Sequence, residues 1–302
     1  MIDDSDRLPE ELPREQADRP LAPGLYLVAT PIGNLEDITL RALRVLRSVD
    51  RIACEDTRQT QKLLNHFGIR TPTVSYHMHN EGARSEELAA ELKAGGRIAV
   101  VSDAGTPGIA DPGGQIAAAA IAAGVPVFPV PGANAAISAL VASGLPTEQF
   151  TFHGFLPAKE GARRTALETL PRDGGTHLFY EAPHRIVDTL ANVETVFGPT
   201  QHVVVARELT KLYEEFLRGP VSELRTVLAG RASVRGEIVL LLTPAAAEQA
   251  AETQTASIAA EVDALMKANG ISEMDALKRV ARDRGIGKSE AYRELQRGKD
   301  RP

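Results

Sequence analysis

Val100 to Gly114 reads VVSDAGTPGIADPGG, a concentration of residue types suited to holding a small ligand. Asp103 and Asp111 place two carboxylates in one loop, and Gly105, Gly108, Gly113 and Gly114 let backbone approach a ligand or adopt positive φ. An anion cradle would present Lys, Arg and bare backbone N–H groups. Two Asp and no Lys favour a ligand that is rich in hydroxyls or positively charged. The apolar run from Arg97 to Val101 precedes the loop, and an Ala/Ile-rich segment from Gln115 to Ala123 follows it. A buried strand therefore empties into the loop and a helix leaves it. Ligands in α/β sheets sit beyond the carboxyl ends of strands. A tight connection with capping Asp residues is the plainer alternative, and so many special residues in succession argue against it.

The elements that must position this loop alternate along the chain. From Gly24, the pattern predicts strands over Leu25–Thr30, Arg51–Glu55, Thr73–Tyr76, Arg97–Ser102 and Val125–Val130. Helices are expected between them and again over Asn134–Ser143. A second alternating half has expected strands Thr151–Phe155, Thr176–Tyr180, His202–Ala206 and Ile238–Leu242, with Glu214–Arg218 pairing at one side. The expected fold is two consecutive α/β/α domains with mostly parallel sheets and a ligand cleft between them. The domains are expected at 24–134 and 135–244, after an unstructured, Pro-containing acidic tail at 1–23. Beyond Pro244, residues 245–302 read as a linker and a small helix-turn-helix-like appendage. There Ser272 and Asp275 fit a capped helix start.

Composition narrows the function. Aromatic residues make up 4% of 302 residues and Trp is absent, which disfavours stacking platforms for single-stranded nucleic acid. Cys54 is the sole cysteine. No run approaches the roughly 20 apolar residues of a membrane span, and no charged-then-apolar leader is seen. A soluble cytoplasmic protein without membrane association is expected. The net charge of −6 conceals an asymmetry: Lys278 to Arg301 holds nine basic and four acidic residues, leaving +5 there and −11 elsewhere. A basic end on an acidic body fits a polyanionic partner or a solvated helix surface.

Several motifs fail on inspection. Gly287-Lys288-Ser289 lacks the upstream Gly of a phosphate loop, since Arg282 stands there. No G-x-G-x-x-G follows the first strand, and no G-x-S-x-G occurs. His77-x-His79 with Glu81 is too sparse to specify a metal, and none is expected. The remaining loops read as strand-end loops: Thr30–Asn34, Glu55–Arg58, Ser102–Gly114, Pro129–Asn134, Gly154–Pro157, Tyr180–Arg185, Ala206–Lys211 and Arg235–Glu237.

Within these loops ATPIGNLEDITLRAL, EDTR, SDAGTPGIADPG, PVPGANAAISAL, SGL, FHGFLP, YEAPHR, ARELTK and RGEIVLLL follow in order. This series resembles the small-subunit ribosomal RNA (cytidine-2′-O)-methyltransferases of the tetrapyrrole-methylase-like superfamily. The resemblance covers about residues 24 to 243, and its specificity lies in nine signatures agreeing in type, order and spacing. One departure is Ala110, where Ser is also expected in such enzymes.

The resemblance implies S-adenosylmethionine held in the cleft. Pro31 and the loop carrying Ser102, Asp103, Ala104, Gly105, Pro107, Ile109 and Asp111 would line one side. Gly132, Ala133 and Asn134 would lie beneath, and Phe179, Tyr180, Arg207, Gly236, Glu237 and Ile238 would contact adenosine. It implies methyl transfer to a cytidine 2′-hydroxyl in small-subunit ribosomal RNA, free or in the assembled subunit, by a homodimer. Glu181, His184, Glu208 and Lys211 are candidate bases, with no choice among them. Arg58, Arg163, Arg164, Arg185 and Arg207 are candidate RNA contacts or plain surface arginines. Two alternatives stay open: a tetrapyrrole C-methyltransferase of the same fold, and a non-catalytic RNA-associated module.

Overall fold

Two five-stranded sheets, one after the other in the chain, organise residues 24–242 of the computed structural model. The structure describes residues 20–244, 258–283, 287, 291–293 and 295–296. The first sheet is built from β1 (Gly24–Val28), β2 (Arg51–Cys54), β3 (Thr73–Ser75), β4 (Arg97–Val101) and β5 (Val127–Val130), in the order β3-β2-β4-β1-β5. Every pairing in it is parallel. Helices α1 (Leu40–Ser48) and α2 (Thr57–His66) cover one face with Ala42, Val45, Leu46 and Leu64; α3 (Glu81–Lys93) and α4 (Gly114–Ala122) cover the other with Leu88, Leu92, Ile116 and Ala120. Side chains of β1 and β4 alternate between the two cores, as a strand buried on both sides requires. Caps set the helix starts: Thr39 Oγ1 accepts the Ala42 N–H at 3.0 Å, and Asp56 accepts the Arg58 N–H at 2.8 Å.

The second sheet is built from β6 (Phe150–Phe155), β7 (Thr176–Glu181), β8 (His202–Arg207), β9 (Glu215–Pro220) and β10 (Ile238–Leu242), in the order β6-β7-β10-β8-β9. Helix α5 (Ala135–Ser143) packs on one face through Ala136, Ala139 and Leu140. On the other lie α6 (Glu160–Glu168), α7 (Ile186–Phe197) and α8 (Val221–Ala229), around Phe179, Val205 and Leu240. The two-sheet α/β architecture is the expected one, but the strand directions of this sheet correct the expectation. Only β6 and β7 run parallel; β7·β10, β10·β8 and β8·β9 are antiparallel. Direction is invisible to periodicity here because β10 is buried throughout and reads as one apolar run whichever way it points.

The C-terminal residues form a separate compact unit. Helices α9 (Ile258–Asn269) and α10 (Glu273–Asp283) share a small core with Val262, Ala276, Leu277 and Val280. Ser272 caps α10: its hydroxyl donates to Asp275 at 2.7 Å and accepts the Asp275 N–H at 3.2 Å. Most of the basic run beyond Asp283, and nearly all of the acidic tail, lie outside the described residues.

Candidate functional site

The carboxyl ends of β1 and β4 are fastened to each other. Thr30 and Gly105 exchange backbone hydrogen bonds of 2.9 and 3.0 Å, so the 102–114 loop folds back over the β1 exit. Gly105 has φ +84°, and a Cβ there would lie 3.2 Å from Ile32 Cγ2 and 3.5 Å from the Ala133 carbonyl. Both the backbone angle and the space call for glycine. Ser102 Oγ donates to the Gly105 carbonyl at 3.1 Å, and Thr106 Oγ1 donates to the Ala133 carbonyl at 3.2 Å. The far end of the loop is held from below: Glu81 accepts the Gly113 N–H at 3.1 Å and the Tyr76 hydroxyl at 2.9 Å. Burial pushes the Tyr76 hydroxyl up to about 12, so it stays a donor. Glu81 thus braces the loop, and its place beside His77 and His79 in sequence has this structural meaning.

The second sheet supplies the opposite wall. Ile238 pairs with Glu181 on one side and Arg207 on the other. Because β10 is antiparallel to both, the turn entering β10 meets the exits of β7 and β8. Arg235–Glu237 reaches the site by preceding a strand, not by following one as expected. Gly236 has φ +90°, and a Cβ there would overlap the Glu208 carboxyl. Glu208 itself holds positive φ (53°), accepts the Glu237 N–H at 3.1 Å and pairs with Lys211 at 2.8 Å. Lys211 also reaches Glu237 at 3.1 Å. The Lys211 bond holds Glu208 below the usual carboxylate range. Burial pulls Lys211 down, but Glu208 and Glu237 outweigh it and leave the ammonium raised.

Between these walls lies a cavity of about 460 Å³. Of the expected ligand residues, Asp103, Ala104, Gly105, Ile109, Asp111, Asn134, Tyr180, Gly236, Glu237 and Ile238 line it. So do Ile32, Glu55, Thr106, Ala135, Phe155, Ala182, Pro183, Leu209 and Val239, which were not named as ligand residues in the sequence, together with Ala110, noted there as a departure, and Glu181, a candidate base. Glu55 sat in the EDTR motif, at the end of a strand neighbouring β4, and that position was the available signal. The lining holds five carboxylates (Glu55, Asp103, Asp111, Glu181 and Glu237) and no Lys, Arg or His. Burial, with Glu55 and Asp103 adding, pushes Asp111 up to about 6 against the pull of a Ser102 hydrogen bond. Burial and Asp103 likewise raise Glu55. Glu55 and Asp111, both raised and both facing Asp103, make a chamber that gains from a positive charge.

Other expected residues stand elsewhere. Pro31, Ser102, Pro107, Gly132 and Ala133 do not line the cavity; Ser102 and Ala133 hold the lining loop through the bonds above. Phe179 is a correction: strand alternation turns it to the opposite face from Tyr180, where it is buried among α6, α7 and α8 and stacks on His153. Arg207 is another, bonding Glu215 at 2.9 Å and the Arg235 carbonyl at 3.2 Å, and so shaping the entry turn of β10.

Among the candidate bases, Glu181 has a fully buried side chain whose oxygens accept Thr189 Oγ1 at 2.6 Å and the Ala182 N–H at 2.7 Å, with Arg185 at 3.3 Å. His184 is exposed and off the cavity, and Glu208 and Lys211 form the clasp behind Gly236. Of the expected RNA contacts, Arg163 is buried, with Nε on Asn192 at 2.7 Å. Arg185 donates to the Leu156 carbonyl at 2.8 Å. Both tie together elements around the second sheet, which corrects their expected role. Arg58, with its side chain 88% exposed, and Arg164 lie on the surface, beside Asp56 and Glu168.

Comparison with known proteins agrees with this architecture. The family described as Tetrapyrrole (Corrin/Porphyrin) Methylases matches residues 24–225. The chain is 49% identical over 271 residues to the ribosomal RNA small subunit methyltransferase I of Halalkalibacterium halodurans, covering 89% of this chain and 93% of that protein. It is 44% identical over 272 residues to the protein of that name from Bacillus subtilis, covering 89% and 92%. Among solved structures, diphthine synthase superposes with a TM-score of 0.55 at 16% identity, covering 72% of this chain and 89% of that one. Uroporphyrin-III-C-methyltransferase from Thermus thermophilus gives 0.51 at 24% identity, covering 72% and 94%. These two likenesses are of fold.

Proposed function

The chain belongs to the tetrapyrrole (corrin/porphyrin) methylase family, alongside the ribosomal RNA small subunit methyltransferases I, and from that premise we propose its reaction. It transfers a methyl group from S-adenosylmethionine to the 2′-hydroxyl of a cytidine ribose in small-subunit ribosomal RNA. The observation that carries the donor is the cavity: five carboxylates, no basic side chain, and a glycine where a Cβ would close the wall. Its volume of about 460 Å³ lies within the roughly 300–1,000 Å³ of small-molecule sites.

When bound, S-adenosylmethionine supplies a methyl group on a cationic sulfur that leaves readily. Glu55, Asp103 and Asp111 would face its positive charge, Ala104 and Gly105 would present backbone to it, and Tyr180 and Ile238 would hold its nucleoside part. The chain's larger task is alignment of acceptor oxygen and methyl carbon, which can lower the barrier by several kcal/mol. Glu181, Glu208 and Lys211 serve that task by fixing the walls, since each is engaged in an ion pair. His184, exposed at the end of β7, remains the expected base candidate outside those pairs. The relatives' names favour RNA as acceptor over a tetrapyrrole.

The protein is read as a cytoplasmic homodimer that needs no metal; among the described residues no helix is long and apolar enough to cross a membrane. Light scattering at micromolar concentration is expected to give a dimer mass, and a monomer mass would count against it. Calorimetry with S-adenosylmethionine is expected to show saturable binding that persists in chelator. Small ribosomal subunits lacking the modification, incubated with labelled donor, are expected to take label into RNA. Loss of donor binding on metal removal, or label confined to protein, would overturn the assignment.

A further inference from the structure

The basic side chains expected to meet RNA proved largely structural, and the surface that can replace them lies on the first domain. Helix α1 has the sequence LRALRVLRS, with Arg41, Arg44 and Arg47 at three-residue spacing along one flank and no acidic residue. Its opposite side buries Ala42, Val45 and Leu46. Helix α2, TRQTQKLLNH, adds Arg58 and Lys62, again with no acidic residue, and Arg70 follows it. Residues 40–71 hold seven Lys and Arg against three Asp and Glu, in a chain of net charge −6.

The two helices are locked together, so this charge is one surface. Arg47 Nη2 donates to the Phe67 carbonyl at 3.1 Å, and Thr71 Oγ1 donates to the Leu46 carbonyl at 2.6 Å. Arg41, Arg47, Lys62 and Arg70 are all exposed. Two of the three acids are turned to arginines, Asp50 to Arg97 and Asp56 to Arg58, and the third, Glu55, lies in the cavity.

This surface runs into an open groove of about 680 Å³ between the 33–36 loop, the end of α2 and the 210–212 loop. His66 and Phe67 line it, and the Phe67 carbonyl is the one that Arg47 bonds. The groove adjoins the cavity directly: Ile32 and Leu209 line the cavity, and the next residues, Gly33 and Thr210, line the groove. Glu36 is the acidic residue on its rim. Leu212, which lines the groove, and the following Tyr213 stand 87% and 70% exposed, two large side chains that no core takes up.

We propose that the outer face of α1 and α2 binds the phosphate backbone of the RNA substrate and leads the strand through this groove to the cavity mouth. The proposal rests on the RNA reading above and deepens it. Phosphates are favoured over an acidic protein segment because the cations repeat along two helices and lead to a groove that mixes Leu35, Phe67 and Leu212 with Asn34, His66 and Thr210, which suits sugar and base.

The test uses full-length protein with Arg41→Glu and Lys62→Glu, and the set Arg41→Gln, Lys62→Gln and Arg70→Gln as a second variant; both leave the Arg47–Phe67 bond intact. Binding of small-subunit ribosomal RNA is measured across a salt series, with S-adenosylmethionine calorimetry and thermal melts alongside. Both variants are expected to melt like the parent and to keep donor affinity within about twofold. RNA affinity is expected to fall at least tenfold, with the slope of log affinity against log salt reduced by about 2, since each lost phosphate contact contributes roughly 0.7–0.9. Unchanged RNA affinity and slope, in variants whose parent methylates RNA, would overturn the docking surface and leave the reaction standing. So would loss of polyglutamate binding with RNA binding intact. A parent that neither binds nor methylates RNA would instead overturn the reading beneath it.

Discussion

The cavity and the α1–α2 face are opposites that meet at the carboxyl end of β2, which leads into both. Five carboxylates and no cation line the first; the helices of the second carry three and two basic residues and no carboxylate. Glu55 and Arg58 are three residues apart in sequence, yet one lines the chamber and the other stands on the outer face. On the proposed reading, the difference lets a chain with net charge −6 serve a cationic donor and a polyanionic acceptor. Each ligand meets its own field, and the chamber repels phosphates from the donor site. Net charge alone hides this arrangement.

The largest expected effect is at the chamber wall. Gly105→Val places a β-branched residue at φ +84°, with its Cβ against Ile32. Donor affinity is expected to fall at least 100-fold, roughly 3 kcal/mol, with a folded circular dichroism spectrum retained. Affinity within threefold of the parent would mean that the loop is only a turn.

Next comes a carboxylate that belongs to the chamber wall but not to its chemistry. Glu181→Ala strips a buried partner from Thr189 and Arg185; unfolding is expected to be easier by about 3 kcal/mol. A denaturation midpoint equal to the parent's would show that Glu181 is available for another role. Arg163→Ala, which orphans Asn192 in the same domain, is expected to cost about 2 kcal/mol while leaving the salt slope of RNA binding unchanged.

Asp111 sharpens the comparison through pH. Its carboxyl is pushed up to about 6, so the folded protein holds that proton more tightly than the unfolded chain does. The resulting stability is fully present below the unfolded value near 4 and is lost as pH rises through about 6. Donor binding follows the opposite sense: a cation favours ionised Asp111, so affinity is expected to rise from pH 5 to pH 7. Asp111→Asn is expected to flatten that rise, weaken the donor about tenfold at pH 7.5, and stabilise the ligand-free protein there by on the order of 1 kcal/mol after solvent screening. A pH profile of binding identical to the parent's would remove Asp111 from the chamber's electrostatics. The smallest effect belongs to Arg58→Gln, expected to leave the thermal melt indistinguishable from the parent's, since its ion pair with Asp56 is exposed. A lowered melt would mean that the pair holds the start of α2.

Much of this was legible in the sequence, for physical reasons that also mark the limit. The 102–114 loop announced itself because glycines, prolines and carboxylates at the end of an apolar run have few structural uses. Gly236 was found for a partly wrong reason: its loop precedes β10 and reaches the site only because β10 is antiparallel to β7 and β8. Phe179 and Tyr180 were not separable, because β7 is buried on both faces and its sequence, THLFYE, does not alternate polar with apolar residues, so it gives no phase. Arg163 did carry a signal: it stands four residues before Leu167, and both are buried on one face of α6. The α1 stripe was equally visible as Arg41, Arg44 and Arg47, but charge counted by chain segment drew attention to the C-terminal run instead.

The central claim is tested most directly at the modified nucleoside. Small subunits lacking the modification are incubated with the protein and labelled S-adenosylmethionine, the RNA is digested to nucleosides, and the labelled species is identified by mass. The expected product is a cytidine carrying the methyl group on its ribose, formed by the parent and not by Gly105→Val. Label on a base, or transfer to a tetrapyrrole with none to RNA, would contradict the account.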